Sequence, residues 1–427
     1  MPDERPLTRI ELAIARSLDP RRRLSRRVFF RDAGRGAIAG GAVLSLPAIL
    51  AACGINPGSS GPSGAASEVP VGGGEPAGQL IFANWPLYID QDEETGESPT
   101  LAQFTDETGI AVDYQEAIQD NNEFFGTIQP ALSAGQDTGW DLIVLSDSII
   151  PRMNRLGYLE AIDVAASVPN FVANAGDAFK DPIYDPGNRH TVPWQSGITG
   201  IGYNPKLTGR EITSFADLLD PAFKGGIGMF SDAQDAIGLA LLHNGVTPED
   251  STEEDVRAAV AVLRDQAPLV RGYLGNEYAQ GLADGSLAIT MAYSGDVFIL
   301  KLDNPDLEFV VPEAGGILFT DNMCIPKAAE HPADALAMMD YVYRPEVAAQ
   351  IAEYVNYICP VPAAQEIIRR HAAEAETADD RAYLETVAES PLVFPNAEMM
   401  TRLHNYKSLS EEEEALWNEL YQEVTQG

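Results

Sequence analysis

Acidic and aromatic side chains recur in the loops that follow predicted strands. In open α/β sheets the carboxyl ends of the strands border the ligand crevice. Aromatic faces combined with carboxylates bind an ammonium ion well, through cation–π contact and charge-assisted hydrogen bonds. The pattern therefore predicts a binding site for a small cation. The residues that carry it are Trp85, Tyr88, Ser146, Asp232, Asp235, Tyr293 and Asp296.

Each of these residues also has a purely structural interpretation. Asp232 and Asp235 could cap a helix, Trp85 could belong to the core, and Tyr293 could pack between strands. Four such groups at equivalent positions, after four different strands, nevertheless favour a binding site.

Signatures of catalysis and of metal binding are scarce in the sequence. It contains no G-x-S-x-G, H-E-x-x-H or G-x-x-x-x-G-K-[ST] motif. The five histidines, at positions 190, 243, 331, 371 and 404, lack the spacing of zinc ligands. We therefore predict no catalytic residue, no cofactor and no metal site. Carboxylate pairs are plentiful in so acidic a chain, so a hydrolase that uses two carboxylates stays an alternative.

The elements that would position these side chains alternate between strands and helices. Such alternation builds α/β layers around largely parallel sheets. Gly109 is placed to end one helix, and Ser410 with Glu413 forms a capping box at the start of the last one. The predicted strands are 80–85, 110–114, 141–145, 227–230, 269–273, 287–293 and 307–311, and the predicted helices are 101–108, 122–134, 234–244, 253–266, 333–343, 347–355, 363–374 and one from Ser410 onwards.

The charge of the chain is strongly acidic and unevenly distributed. The 427 residues carry a formal net charge of −36. Residues 1–52 hold ten Arg and five acids, whereas residues 53–427 hold 18 Lys and Arg against 59 acids, a net charge of −41. A surface this acidic repels phosphate, so nucleic acid is disfavoured as a partner. The length favours two lobes or domains over a single core.

The first 52 residues are predicted to be an export signal. Arg26 and Arg27 precede apolar residues in a pattern similar to a twin-arginine signal. A signal for the general secretion pathway is the alternative. About fifteen small and apolar residues follow, at 36–50, too few to span a bilayer comfortably. A soluble basic helix followed by a short buried helix is the competing interpretation.

Cys53 is the predicted lipidation site. It follows Leu-Ala-Ala, which resembles the lipobox of bacterial lipoproteins. Residues 53–78 are rich in Gly, Ser and Pro and read as a flexible tether. The protein would then sit on the outer face of a membrane, or in the periplasm, without a spanning helix. Cys324 and Cys359 could form a disulfide in an exported protein, or be two buried apolar residues.

The body of the chain resembles the spermidine/putrescine-binding proteins of polyamine ABC transporters. The similarity covers roughly residues 79–425, and its pieces keep the family's order. They are LIFANWPLY (80–88), FTDETGIAVDY (104–114), WDLIVLSDSIIPRMNRLGYL (140–159), VPWQSGITGIGYN (192–204), SFADLLDPAFKGGIGMFSDAQDAIGLAL (214–241), AYSGDVF (292–298), VPEAGGILFTDNMCIP (311–326) and MMDYVYRPEVAAQIAEYVNY (338–357).

The resemblance implies a type II periplasmic-binding-protein fold. Two α/β lobes, each a mostly parallel sheet with flanking helices, would be joined by crossing strands and close on the ligand. The first crossing is expected near 194–197 and the return near Gly295. The implied lobes are 79–194 plus 295–325, and 195–294 plus 326–427.

The resemblance also implies roles for individual residues. Trp85 and Tyr88 would pack on the methylenes of a polyamine, and Ser146 would bond an amine. Asp232 and Asp235 would anchor one ammonium group. Asp296, beside Tyr293, would anchor another, and Phe319 and Asp321 would complete the pocket.

Two departures from the family imply a wider pocket or a different amine. Asp235 stands where the family often has Glu, and Ser148 stands where it often has an aromatic residue. The match also loosens at 357–360, so no residue is carried over from there.

The sequence therefore predicts a monomeric solute receptor that delivers a polyamine to an ABC permease and performs no chemistry. A receptor of the same fold for another solute, such as a metal chelate, an opine-like compound or an organic anion, is the first alternative. The surface-tethered hydrolase is the second.

Overall fold

The computed structural model describes residues 70, 71, 74–92 and 95–426. The predicted export signal and the lipidation site Cys53 lie outside the described residues, as does most of the predicted tether. Among the residues described, none of the helices combines the length and apolar character that crossing a membrane requires.

One mixed sheet runs through the molecule. Its strands follow the order β2-β1-β3-β9-β4-β7-β5-β6, with β10 beside β9 and β8 beside β4. β1 pairs in parallel with β2 and β3, and β5 pairs in parallel with β6 and β7. The strands are β1 (Gln79–Ala83), β2 (Ala111–Gln115), β3 (Leu142–Ser146), β4 (Thr191–Tyr203), β5 (Ile227–Phe230), β6 (Val270–Leu274), β7 (Ile289–Tyr293), β8 (Glu308–Val310), β9 (Gly316–Cys324) and β10 (Leu403–His404).

Two long antiparallel strands, β4 and β9, connect the two parallel parts of the sheet. The end of β9 pairs with β3 at residues 321–324, on the side of β1 and β2. The end of β4 pairs with β7 at residues 199–203, on the side of β5 and β6. β4 and β9 pair with each other in between. All residues of both strands are buried, so they lack the alternating pattern that marks a half-exposed strand.

Helices cover both parallel parts of the sheet. The helices are α1 (Pro99–Thr108), α2 (Asn121–Ser133), α3 (Ile150–Arg155), α4 (Val164–Ser167), α5 (Pro169–Asn174), α6 (Pro205–Thr208), α7 (Ala233–His243), α8 (Glu253–Gln266), α9 (Glu277–Asp284), α10 (Ser294–Asp303), α11 (Pro332–Tyr341), α12 (Pro345–Val355), α13 (Ala364–Glu374), α14 (Ala378–Glu389), α15 (Ala397–Met400) and α16 (Glu411–Gln426).

Local signals set several helix ends as predicted. Gly109 adopts the left-handed conformation, φ 75°, and ends α1. At the start of α16 the Glu413 backbone N–H donates to Ser410 Oγ over 3.2 Å, and the Ser410 N–H donates to Glu413 Oε2 over 2.9 Å. This is the predicted capping box, which satisfies two N–H groups that the helix leaves unpaired.

The chain crosses back from the second parallel part of the sheet to the first at a later residue than the sequence predicts. The return was expected near Gly295, but Gly295 lies in α10, which packs on β7 and β4. Strand β9, about twenty residues further on, makes the return. The physical reason is that β9 can pair with β3 and β4 at once, which a helix cannot do.

The C-terminal helices divide between the two parts of the molecule. α11 contacts β1 and α12 contacts α1, whereas α16 packs on α7 and α8. The expectation that all of 326–427 belongs to the second lobe therefore needs correction for α11 and α12. Their apolar faces are buried beside β1 and α1 rather than on the second lobe.

The end of the predicted tether is held by a buried carboxylate. Asp334, in the first turn of α11, accepts hydrogen bonds from the N–H groups of Ala77, Gly78 and Gln79, over 2.8 to 3.2 Å. These three donors compensate for burying the charge. Val71, earlier in the predicted tether, also forms a β-bridge with Ile162, so the chain contacts the globular body before residue 77.

Cys324 and Cys359 are both free and buried. Cys324 lies in the centre of the sheet between β3 and β4, whereas Cys359 follows α12 and contacts the backbone of Ala348 and Val361. The two cysteines therefore act as small apolar residues, and burial raises the pKa of both thiols.

Candidate ligand-binding site

A cleft of about 930 Å³ opens at the carboxyl ends of strands from both parts of the sheet. Residues at or just after the carboxyl ends of β1, β3, β5, β6 and β7 line it, together with the middle of β9. Parallel strands that point the same way bring their following loops to one edge. Eight predicted site residues line this cleft: Trp85, Tyr88, Ser146, Asp232, Tyr293, Asp296, Phe319 and Asp321.

Aromatic rings form the inner walls of the cleft. The ring centroids of Tyr88 and Tyr357 lie 5.5 Å apart, and those of Tyr293 and Phe319 lie 5.1 Å apart. Both pairs meet edge to face, the arrangement that aromatic quadrupoles favour. The Trp85 indole Nε1–H donates to the Val144 carbonyl over 3.1 Å, which fixes that ring at the entrance.

Two glycines leave the space that these rings occupy. A Cβ atom at Gly295 would lie 2.3 Å from Tyr357 Cδ2, and one at Gly197 would lie 2.3 Å from Phe319 Cζ. Neither distance is compatible with a methyl group. The aromatic walls therefore require glycine at both positions.

Two buried carboxylates, Asp296 and Asp321, lie at the floor of the cleft. Asp296 accepts hydrogen bonds from the hydroxyl groups of Tyr278 over 2.7 Å and Tyr357 over 2.8 Å. Asp321 accepts one from Tyr88 over 2.7 Å. Their exposed fractions are only 5% and 7%. Phenol donors hold these carboxylates in place without neutralising their charge, which suits them to a cation.

Asp232 lines the cleft and caps α7 as well. Its Oδ1 accepts the N–H groups of Gln234 over 2.8 Å and Asp235 over 3.0 Å. The structural interpretation of this residue is therefore correct, and the residue is also exposed to the cleft.

Asp235 lies behind the wall of the cleft rather than in it. Its carboxylate accepts hydrogen bonds from Thr199 Oγ1 over 2.7 Å, Tyr293 OH over 3.0 Å and Tyr406 OH over 2.6 Å. Burial, reinforced by the charge of Asp232, raises the pKa of Asp235 to about 7. The resemblance implied a direct contact between Asp235 and the ligand, and the geometry does not bring this side chain to the cleft surface.

Ser146 ends β3 at the cleft and touches a further buried acid. Its hydroxyl donates to Asp147 Oδ1 over 3.2 Å. Burial raises the pKa of Asp147 well above its usual range. Asp147 faces the interior, so we assign it no contact with a ligand.

The sequence did not identify Tyr357, Tyr278 or Tyr406 as site residues. Tyr357 reaches the site because the backbone of Ile358 pairs with Ser196 of β4. That bridge joins residues distant in sequence and leaves no local pattern. Tyr406 lies in an irregular segment before α16.

Charge in the cleft is overwhelmingly negative. Among the described residues that line it, Arg271 is the one base, against seven acids. The outer acids are exposed, whereas Asp296 and Asp321 are buried. No group of His, Cys, Asp and Glu within the described residues could hold a metal ion. The seven acids are Asp120, Glu123, Asp232, Glu277, Asp284, Asp296 and Asp321.

Comparison with known proteins gives a consistent result. The family model described as bacterial extracellular solute-binding protein matches residues 100–383. The spermidine/putrescine-binding periplasmic protein of Escherichia coli K12 is 29% identical over 299 residues, which is 70% of this chain and 82% of that protein. The putrescine-binding periplasmic protein SpuD of Pseudomonas aeruginosa is 27% identical over 348 residues, which is 77% of this chain and 87% of that protein.

A solved structure has the same fold. The spermidine/putrescine ABC transporter substrate-binding protein PotD of Streptococcus pneumoniae superposes with a TM-score of 0.67 at 26% identity, covering 82% of this chain and 99% of that one. The two-lobe fold expected from the resemblance is thus confirmed. The chain belongs to the family of bacterial extracellular solute-binding proteins.

Proposed function

We propose that the protein captures a polyamine of the putrescine or spermidine class in the cleft and delivers it to an ABC permease. The observation that carries this proposal is the pair of buried carboxylates, Asp296 and Asp321, held by phenol donors between aromatic walls. The relatives that bear polyamine-binding names support the same ligand class.

The chemistry of the cleft matches an α,ω-diamine. Each ammonium end needs a carboxylate, because a desolvated cation without one would cost several kcal/mol. The methylene spacer needs apolar walls, which the rings of Trp85, Tyr88 and Phe319 offer. An organic anion would meet seven acids and one arginine, so the alternative receptor for an anionic solute is disfavoured.

We further propose that the two lobes close around the ligand by a hinge at β4 and β9, the strands that connect them. Residues from β1 to the start of β4, with the end of β9, α11 and α12, would form the first lobe. The remainder of β4 through β8, with α16, would form the second. Lipid attachment at Cys53, a monomeric state and the absence of enzymatic activity complete the proposal.

A thermal-shift screen of the purified protein tests the ligand class. The panel is putrescine, spermidine, spermine, choline, arginine and ferric citrate. A ligand at a hundred times its dissociation constant adds about 2.7 kcal/mol to the free energy of unfolding. We expect the melting temperature to rise by several degrees with one or more polyamines and to stay unchanged with ferric citrate.

An absence of any shift with all amines, at moderate salt, would contradict the proposed ligand class. The Asp296→Asn variant is the control: the shift should shrink in it, and an undiminished shift would show that Asp296 does not anchor the amine. Chromogenic glycosides test the hydrolase alternative, and we expect no turnover.

A further inference from the structure

Asp235 joins four separate segments of the chain behind the cleft. It lies in the first turn of α7 and accepts hydroxyl hydrogen bonds from Thr199 in β4, Tyr293 at the end of β7 and Tyr406 between β10 and α16. The exposed fraction of Asp235 is 2%. Tyr293 and Tyr406 line the cleft, whereas Asp235 does not. A ligand therefore meets the tyrosines before it could meet this carboxylate.

Helix geometry separates Asp235 from its neighbour Asp232. Asp232 is the N-cap and faces the cleft, while Asp235 sits three residues on, inside the first turn. The short aspartate side chain does not extend past the rings of Tyr293 and Tyr406. The two acids therefore occupy different environments although they are close in sequence.

We propose that Asp235 is a positioning residue that orients the rings of Tyr293 and Tyr406, and that Tyr406 brings the C-terminal segment into the binding site. The identity of the ligand in this inference rests on the proposed function. The positioning of the two rings rests only on the hydrogen bonds of Asp235. The carboxylate fixes both phenol hydroxyls, so the rings keep one orientation before the ligand arrives. A pre-oriented wall lowers the ordering cost of binding.

Calorimetry with putrescine or spermidine on four variants tests the proposal. Asp235→Asn and Tyr406→Phe should each weaken binding about tenfold, the loss expected for a hydrogen bond to a charged group. The double variant should bind about as well as the weaker-binding single variant, because the hydrogen bond that Tyr406→Phe removes is one of the three that Asp235→Asn weakens. Asp296→Asn, which removes a direct anchor, should lose about a hundredfold or more.

Two results would overturn the proposal. A hundredfold loss in Asp235→Asn, with Tyr406→Phe within about twofold of wild type, would make Asp235 a direct anchor. Multiplicative losses in the double variant would show that the two residues act independently. Should Asp235→Asn fail to fold, Tyr293→Phe and Tyr406→Phe are measured singly: each removes one hydroxyl from the carboxylate and should weaken binding about tenfold, and binding within about twofold of wild type in both would overturn the proposal.

A second readout works without ligand. Near-ultraviolet circular dichroism reports the environment of tyrosine rings, and the pKa of Asp235 is raised to about 7 by burial and by Asp232. We expect a tyrosine signal that titrates near pH 7 in the wild type, is absent in Asp235→Asn and is weaker in Tyr406→Phe. The titratable groups that face Asp235 are Asp232 at the N-cap of its own helix, Asp147 after β3, Tyr293 at the end of β7, Tyr406 before α16 and Tyr421 on α16.

The two readouts separate this proposal from the proposed function. Persistence of the titration in Asp235→Asn would overturn the positioning role whatever the ligand is. A titration that disappears in Asp235→Asn, in a protein that binds no amine, would support the positioning role and contradict the polyamine assignment.

Discussion

Phenol hydroxyls hold the acids of the cleft at fixed positions. Asp296, Asp321 and Asp235 each accept at least one tyrosine hydrogen bond. Phenols donate strongly but carry no charge, so they restrain the orientation of the carboxylates without neutralising them. Tyrosine hydrogen bonds therefore orient Asp296 and Asp321, which line the cleft, and Asp235, which lies behind it.

Asp296→Asn should weaken polyamine binding by about a hundredfold or more, because an ammonium group would be left facing a neutral amide in a desolvated site. Isothermal titration calorimetry measures this directly. Asp284→Asn is the matched control: this acid also lines the cleft but is exposed, so solvent screens it and the change should stay within about threefold. A loss below threefold in Asp296→Asn would remove it from the anchors.

Asp235 should make the protein less stable as pH rises. Its pKa in the folded state is raised to about 7, so the folded state binds this proton more tightly than the unfolded chain between about pH 4 and 7. The free energy of unfolding of the wild type therefore falls across this window, and Asp235→Asn lacks that loss. The melting temperature of the variant minus that of the wild type should become more positive from pH 5 to 8, by a few degrees.

Differential scanning calorimetry at pH 5, 6, 7 and 8 measures this difference. The exposed Asp284→Asn serves again as the control, and its difference from the wild type should not change with pH. A constant difference for Asp235→Asn would mean that Asp235 titrates in its ordinary range in the folded protein.

At the scale of elements, β4 and β9 carry the site as well as the connection between the lobes. Gly197 of β4 lies against Phe319 of β9 and against Tyr357, so the strand pair and the aromatic wall pack as one unit. A change at this packing point should affect binding and stability together.

Gly197→Ala should lower the melting temperature by roughly 2–6 °C, the effect of about 1–3 kcal/mol of overpacking, and weaken ligand binding. The new methyl group would displace the Phe319 ring. Gly126→Ala is the matched control, because this glycine lies inside α2 with open space around its Cβ position. It should be neutral or slightly stabilising. Thermal unfolding that ranks the two variants in the opposite order would contradict the packing argument.

An ion pair joins elements from opposite sides of the cleft. Arg152 and Arg155 of α3 both contact Glu414 of α16, Arg155 over 3.3 Å. α3 follows β3, whereas α16 packs on α7 and α8. The pair therefore favours the arrangement of the lobes in which these helices meet.

Glu414→Gln should weaken ligand binding about two- to fivefold in dilute buffer, since a partly exposed pair contributes at most about 1 kcal/mol. The loss should disappear in 0.5 M salt, where such pairs are screened. Glu423→Gln is the control, because Glu423 pairs with Arg264 of α8 within one side of the molecule. Equal effects of the two variants would show that the Glu414 pair is not specific to the contact between lobes.

At the scale of the whole molecule, the charge of the body and of the cleft have the same sign. Residues 53–427 carry a net charge of −41, and seven acids line the cleft. A field of this sign concentrates cations near the entrance and raises their rate of association. The bulk charge therefore acts on the kinetics of capture, and the buried acids act on affinity.

The association rate of spermidine should fall about tenfold or more between 20 and 500 mM salt. The dissociation rate should change much less, because it depends on short-range contacts. Stopped-flow measurement of intrinsic tryptophan fluorescence follows both, since Trp85 lines the cleft. An association rate independent of salt would show that the overall charge plays no part in capture.

Local elements of this protein are determined by the sequence itself. β5 and α8 lie at the predicted bounds, and Gly109 and Ser410 end and begin helices as predicted. Alternation of strands and helices also determines the α/β class. These features follow from propensities and caps within a few neighbouring residues, so they can be read without knowledge of the fold.

The tertiary structure alone decides which residues meet. β4 and β9 are buried on both faces and lack a periodic signal, so their role as the connection is visible only in their pairing. Asp235 points away from the cleft because Thr199 and Tyr406 offer it hydroxyl groups from distant segments. The sequence predicts, from residue types and the ends of strands, the region in which acidic and aromatic side chains lie. Which of them face the ligand depends on packing between separate segments, some as far apart in sequence as Tyr88 and Asp321, and no local sequence pattern shows it.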